Sequence, residues 1–301
     1  MDATVKQTRI DRAIADAPIF IVTGRARIAL RAGTVIHRDG LPIALDGDLP
    51  ISIDLADLAP GTDFAVLIED GAARAVPCPG AIPEGAIGGF HYAPSGNAEA
   101  RAGGDGQPAI NPFSCWDIGF RPGCDPRGMT LVMVGGHRLW VDIYLLGTDH
   151  LAQGTSRCGA AIADGRDLPQ RVDGKGACRK LDHATAVEIY AHHGKRLLGA
   201  EEFFAAAFGV AERKSLDDEP SIAGALDGRG ERFVSARGLH GATGTMWQWG
   251  TDGDPDEPRP SIFGGSWIDG QDAGSRYAYL VGWPDNSVGS LSARGCRDHE
   301  S

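Results

Sequence analysis

The segment SIFGGSWIDGQDAGSRYAYLVGWPDNSVGSLSARGCRD, residues 261–298, fits neither an amphipathic helix nor an alternating strand. Between Gly264 and Ser292 it holds six Gly, five Ser, three Asp, two Tyr and two Trp, with one Arg and no Lys, Glu, Cys or Met. Tyr and Trp supply rigid contact area at low entropic cost, while Ser, Gly and Asn adapt their hydrogen bonding, so the mixture is that of a recognition surface. GGSW at 264–267 and ARG at 293–295 bracket it. The chain is expected to end in a displayed binding face rather than a catalytic cleft.

Outward from this segment, the 301 residues allow about two domains of ordinary size. Hydrophobic residues at 42% and charged residues at 23% are those of a soluble globular protein. The 43 Gly do not recur every third position, which excludes collagen and points to an irregular, turn-rich fold. A net charge of −11 argues against nucleic acid or an anionic membrane as partner. No apolar run approaches the roughly 20 residues of a membrane-spanning helix, so no membrane insertion is expected. The N-terminus lacks the apolar core of a secretory signal, so the chain is expected to be made in a cytoplasm and to leave, if at all, within a particle. The six cysteines show no CxxC spacing and read as buried, reduced thiols rather than a zinc site.

Residues 19–81 read as short strands with turns between them: IFIVTG, ARIAL, GTVIHRDG, LPIAL, ISIDLADL and DFAVLIEDG. Asp39-Gly40 is a two-residue hairpin signal, and the spacing suggests a small antiparallel sandwich. The glycine-rich residues 93–111 read as a loop or linker. Further on, TLVMVGGHRLWVDIYLLG (130–147) reads as a hairpin turning at Gly135-Gly136, with Trp140, Ile143 and Leu145 in the core. Asp182 can cap a helix over His183–His193 that ends at Gly194. A second helix is expected over Ala200–Phe208, its Phe203, Phe204 and Phe208 at helical spacing and Gly209 as stop. Residues 210–232 are polar and read as a long excursion. The expected fold class is α+β: an N-terminal antiparallel β-sandwich, then a C-type-lectin-like domain with two helices and short, loop-rich strands. The expected division is an N-terminal segment over about 1–19, the sandwich over about 20–112 and the ligand-binding domain over about 113–301, with a variable region at about 264–295.

HGKRLLGAEEFFAAAFG (193–209), GTMWQWG (244–250), FGGSW (263–267) and ARGCRDH (293–299) stand in the order of the formylglycine-generating-enzyme branch of C-type-lectin-like folds. With RAGTVI (31–36), GTDFAVLIEDG (61–71), GGFHYAPSGN (88–97), WDIGFRP (116–122), DPRGMTLV (125–132) and DIYLLGTDHL (142–151), the chain resembles the major tropism determinant family over residues 28–299. The resemblance implies a trimeric phage tail-fibre tip, carried on the virion and recognising a host surface protein or glycan. A host-encoded protein of the same fold, in a bacterial cytoplasm or at a cell surface, is the alternative reading. The family carries a β-prism ahead of the sandwich, whereas about 20 residues precede the first expected strand here.

The resemblance also implies diversification by a retroelement that rewrites adenines in AAC-type codons, which cannot produce Lys, Glu, Gln, Met or Trp. Ser266, Ile268, Asp269, Asp272, Tyr277, Tyr279, Leu280, Val281, Gly282, Asn286, Val288, Ser290 and Leu291 are the candidate variable, ligand-contacting positions. Trp267, Gln271, Arg276, Trp283 and Pro284 are expected to be fixed. Trp247, Trp249 and Trp267 could stack on carbohydrate, but their flanking glycines favour structural pins, and Arg276 and Arg294 read as clamps for loop carbonyls. His192 and His193 beside Lys195 and Arg196 lack a third ligand and read as structural. No cofactor is expected; calcium at Asp252, Asp254, Asp256 and Glu257 is the one alternative, against a solvated acidic loop. The enzyme relatives depend on a pair of C-terminal cysteines that bind copper, and Cys296 stands alone, so no catalytic residue is assigned.

Overall fold

The computed structural model describes residues 8–38, 41–253 and 260–300. It is an α+β fold with three α-helices and four sheets among those residues. The Asp39-Gly40 turn lies outside them, although the strands it joins, Val35–Arg38 and Leu41–Ala44, pair antiparallel as expected.

Toward the N-terminus, two sheets face each other over one core. Arg9–Asp11, Val35–Arg38 and Leu41–Ala44 make a three-stranded sheet. The larger sheet runs in the order Ala109–Ile110, Gly88–Ala93, Thr62–Glu69, Ala72–Pro77, Leu49–Ser52, Arg27–Leu30, Phe20–Gly24, with Trp116–Asp117 also paired to Gly88–Ala93. Alternate inward residues fill the space between them, Ile36 from the small sheet meeting Phe20, Leu30, Phe64 and Phe90 from the large one. Phe64 and Phe90 are direct cross-strand partners and stack with centroids 5.2 Å apart.

Three features depart from the sequence reading. The sheet is mixed, because Leu49–Ser52 pairs parallel with Ala72–Pro77. Residues 53–61 carry the chain past the neighbouring position to start Thr62–Glu69. A tight turn at Asp70-Gly71, both at positive φ, then folds the next strand back into the gap. The strand Arg9–Asp11 lies inside the segment read as preceding the fold; at three residues it is too short to show a period. Residues 94–108 form a loop that is a brace rather than a linker. Ala98, Gly103 and Gly104 donate their amides to Ser235, Gly209 and Glu231. Gly103 (φ +86°) allows this approach, since a β-carbon there would lie 2.4 Å from Arg232 Cα.

The C-terminal half holds two four-stranded sheets. One has the order Met129–Val134, His137–Asp142, Gly295–Asp298, Arg196–Leu197, and the other Ala278–Tyr279, Pro260–Phe263, Trp247–Gly253, Leu291–Ala293. The 129–142 hairpin turns at Gly135-Gly136, both at positive φ, and buries Trp140. Asp182 caps the helix His183–His192, its carboxylate accepting the Thr185 amide at 2.9 Å. The next helix, Ala200–Ala206, stops two residues short of expectation. Its Phe203 is buried, whereas Phe208 lies beyond the helix end, exposed under the Arg101 guanidinium at 4.7 Å. A further short helix spans His150–Gln153.

A buried polar chain joins the two halves. His91 Nδ1 lies 2.9 Å from the Asp63 carboxylate, and His91 Nε2 lies 2.8 Å from the Tyr144 hydroxyl. Asp63 also accepts the Gly128 amide at 3.0 Å. With every member buried and partnered, the chain fixes one orientation of the sandwich against the lectin-like part.

Candidate display surface

Residues 264–292 form two loops whose backbones are held largely by buried glycines and by residues from other segments. The first loop, 264–277, is closed at its base by Gly264, which accepts the Gly244 and Gly274 amides and donates to Tyr277 O. Gly264 and Gly265 have φ of +92° and +75°, and a β-carbon at Gly265 would lie 2.7 Å from Ala273. Glu212 reaches in from a distant segment, accepting the amide of Ser275 at 3.0 Å and its hydroxyl as well. Arg213 donates to Gln271 at 2.8 Å, and Trp267 packs beside Tyr144 and Met246.

The second loop, 280–290, is tied down along its length. Gly282 donates to Pro260 O, Pro284 O accepts the His183 amide, Ser287 Oγ accepts the Leu181 amide, and Val288 O accepts the Gly165 amide. Directly after the strand Leu291–Ala293, which follows the second loop, Arg294 is fully buried. Its guanidinium donates to Gln248 Oε1 and to the carbonyls of Asp142, Ile143, His240 and Gly241 at 2.6–3.2 Å. Burial pushes its pKa down to about 10, so it stays charged at neutral pH. A planar fork with five donors can serve this many carbonyls at once; lysine cannot.

The candidate positions separate by burial. Ile268, Asp272, Tyr279, Leu280, Val281, Asn286 and Val288 are exposed, and Asp269, Tyr277 and Ser290 are half-buried. Ser266, Gly282 and Leu291 are buried, and their assignment to a contact face is corrected. The Ser266 amide is bound by the Asp269 carboxylate at 2.6 Å, and Leu291 packs with Trp249 and Ile189. A β-carbon at Gly282 would lie 2.5 Å from Pro260 O. Among the residues expected to be fixed, Trp267 is half-buried, but Trp283 is 64% exposed, and Gln271, Arg276 and Pro284 are exposed as well. Arg276 is therefore no clamp; Glu212 holds that turn through Ser275. Neither Glu212 nor Arg213 was visible from sequence, because the polar run 210–232 carries no local signal that it braces a loop about 60 residues away.

Six of the fourteen large apolar side chains exposed among the described residues fall between Ile268 and Val288. Scattered single exposures need no explanation, but this concentration on anchored backbone is the signature of an interaction surface. Trp249 is buried, with Nε1 donating to Leu181 O at 3.1 Å, and serves as a pin.

The remaining candidate chemistry is structural. His193 Nε2 lies 2.9 Å from His150 Nδ1, whose ring bonds Gln170 O through Nε2. Burial and neighbouring positive charge hold His193 down at about 4. Lys195 is buried in an ion pair with Asp142 at 2.6 Å. Cys296 is buried among Val141, Leu198 and Phe203, its thiol pushed up by desolvation, and all six cysteines are free. Among the described residues no group of three or more His, Cys, Asp or Glu is placed to hold a metal. The acidic cluster at Asp254, Asp256 and Glu257, with the Asp252 side chain, lies outside what is described.

A loop-rich lectin-like scaffold, rigid at its glycines and buried arginine and displaying side chains outward, defines the class of a binding protein. Residues 18–117 match the family described as the Mtd second domain. The tail fiber receptor-binding protein of Bordetella phage BPP-1 is 36% identical over 330 residues, covering 97% of this chain and 85% of that protein. The solved Major Tropism Determinant U1 variant superposes with a TM-score of 0.87 at 35% identity, covering 96% of this chain and 85% of its own. The P3c variant gives 0.86 at 36%, covering 97% and 86%. The chain belongs to the major tropism determinant family. The Bordetella phage relative is by name a tail fiber receptor-binding protein.

Proposed function

We propose that this chain is a phage tail-fibre receptor-binding protein, carried on the virion tail, which recognises a host surface protein or glycan through its two C-terminal loops and catalyses no reaction. Contacts come from the exposed Ile268, Asp272, Tyr279, Leu280, Val281, Asn286 and Val288, with Asp269, Tyr277 and Ser290 at the edge and Trp283 added. The observation that carries this reading is that the loop backbones are fixed at Gly264, at Ser275 by Glu212 and at Gly282 by Pro260 O, while most of the exposed side chains take no part in holding them. Substitution at exposed positions away from packing usually changes stability by about 0.5 kcal/mol or less, so a retroelement can rewrite them while the fold persists. The name of the Bordetella phage relative, a tail fiber receptor-binding protein, supports the same reading. Assembly as a homotrimer would link three faces and raise avidity by about 10²–10⁴.

Binding of the purified chain to host cells tests this. Tyr279→Ser combined with Trp283→Ser should remove binding, since exposed aromatic residues carry most interface energy, and should leave the melting temperature within about 2 °C. Undiminished binding would sink the proposed face, and a large loss of stability would show those side chains to be scaffold. Sequencing progeny across residues 264–295 should find changes confined to adenines at the exposed positions.

A further inference from the structure

The display loops are not the only surface with unmet chemistry. An open trough of about 780 Å³ is lined from both the sandwich and the helix Ala200–Ala206, and no display position borders it. Its walls are largely apolar: Val22, Pro112 and Phe113 come from the sandwich side, and Phe204, Ala205 and Phe208 from the helix and the turn after it. Phe208 is 46% exposed, and the Arg101 guanidinium above it is paired with Glu212 at 3.6 Å. Two charges in the trough are not paired. The Arg237 guanidinium lies over the Phe113 ring at 4.2 Å and, among the described residues, meets neither a carboxylate nor a hydrogen-bond acceptor. The side chain is half-buried, yet its nitrogens are reached by solvent. Burial lowers its pKa, with no carboxylate near enough to offset the effect. Glu99, an exposed lining residue, also has no ion pair among the described residues.

The remaining charges of the lining are spent. Arg25 and Asp105 bond each other, and Asp105 also accepts the Gly96 amide at 3.2 Å and the Gln107 amide at 3.0 Å. The unmet groups therefore define the occupant. A guanidinium held flat on an aromatic ring presents a planar fork that matches a carboxylate. Exposed phenylalanines beside it are the anchors that bury large apolar side chains at interfaces. A fatty acid would satisfy Arg237 and the apolar walls but leave Glu99 unmet, whereas a polypeptide carries both signs of charge among apolar side chains. We propose that this trough docks a segment of a partner protein, with large apolar side chains against Phe204 and Phe208, an acidic side chain on Arg237 and a basic one on Glu99. The site lies apart from the display loops and does not depend on the receptor-binding reading.

A random library of short peptides, selected on the full chain and depleted on a variant carrying both Phe208→Ser and Arg237→Gln, tests the proposal. Peptides held only by the unaltered chain should share an acidic residue flanked by large apolar ones, with a basic residue nearby. One of them, synthesised, should bind Arg237→Gln about tenfold more weakly, and the same loss should follow when its acidic residue is replaced by the amide. Nitrogen NMR of the Arg237 guanidinium in the unaltered chain gives a readout that does not depend on a variant folding, and the peptide should shift that signal. The proposal is overturned if no peptide tells the chain from the double variant, if the selected peptides lack the acidic residue, or if the Arg237 signal stays unmoved. Octanoate binding as tightly as the peptide would assign the trough to lipid-like acids instead. Loss of self-association in the double variant, without peptide selectivity, would assign it to a second copy of this chain, and either result overturns the proposal.

Discussion

Arg294 shows how one side chain can join several segments of a fold poor in regular structure. It is charged, fully buried, and satisfied by five acceptors contributed by three separate segments of chain. Arg294→Ala removes the donors and leaves those acceptors in the dark, and it should cost about 3–5 kcal/mol in urea unfolding. Arg294→Lys should recover only part of this, because an ammonium lacks the planar fork. A loss under about 1 kcal/mol for the alanine variant would mean that these three segments are held together by something else. The ARG motif marked this residue in the sequence, whereas Arg276 in GSR looked equivalent and is exposed. The two differ in what lies beneath them, which neighbouring residues do not report.

The two display loops are elements in the sense that hairpins are: their shape comes from backbone hydrogen bonds, at Gly264 for one and at Gly282, Pro284 and Val288 for the other. Gly282 sits between exposed Val281 and exposed Trp283 yet is itself pressed against Pro260. Gly282→Ala should therefore cost about 1–3 kcal/mol by overpacking, read from the shift of the thermal midpoint. Val281→Ala next to it should change stability by about 0.5 kcal/mol or less. An unaltered midpoint for Gly282→Ala would return that position to the displayed set. Helix caps and hairpin turns were legible locally, as at Asp182 and Gly135-Gly136, because a cap or a two-residue turn is completed within a few residues. The early end of the Ala200–Ala206 helix was not, since Phe208 trades a place in the core for the Arg101 guanidinium.

At the scale of the whole molecule, the sandwich and the lectin-like part are joined by the buried chain Asp63–His91–Tyr144 and by the brace at 94–108. Tyr144→Phe keeps the ring and strands His91 Nε2 without its hydrogen-bond partner. It should lower stability by about 1–3 kcal/mol, and calorimetry should detect the two halves melting less cooperatively. A variant that melts like the parent would show that apolar contact alone couples them. In the proposed trimer a rigid joint matters, because orientation between linked copies governs whether they engage together.

Composition and spacing by themselves determined the α+β class, the strand-rich first half, the capped helix, the glycine-framed C-terminal loops and the kind of side chains those loops carry. Each of these is written over a few neighbouring residues, through turn chemistry, capping or the balance of aromatic and small polar types. The tertiary structure alone decided which of them face outward: Ser266, Gly282 and Leu291 turn in, while Trp283 and Arg276 turn out. It also decided the two parallel strand pairs among the described residues and the polar joint between the halves. Burial depends on contacts between residues far apart in the chain, such as Leu291 with Ile189 and Glu212 with Ser275, and no local pattern encodes those meetings.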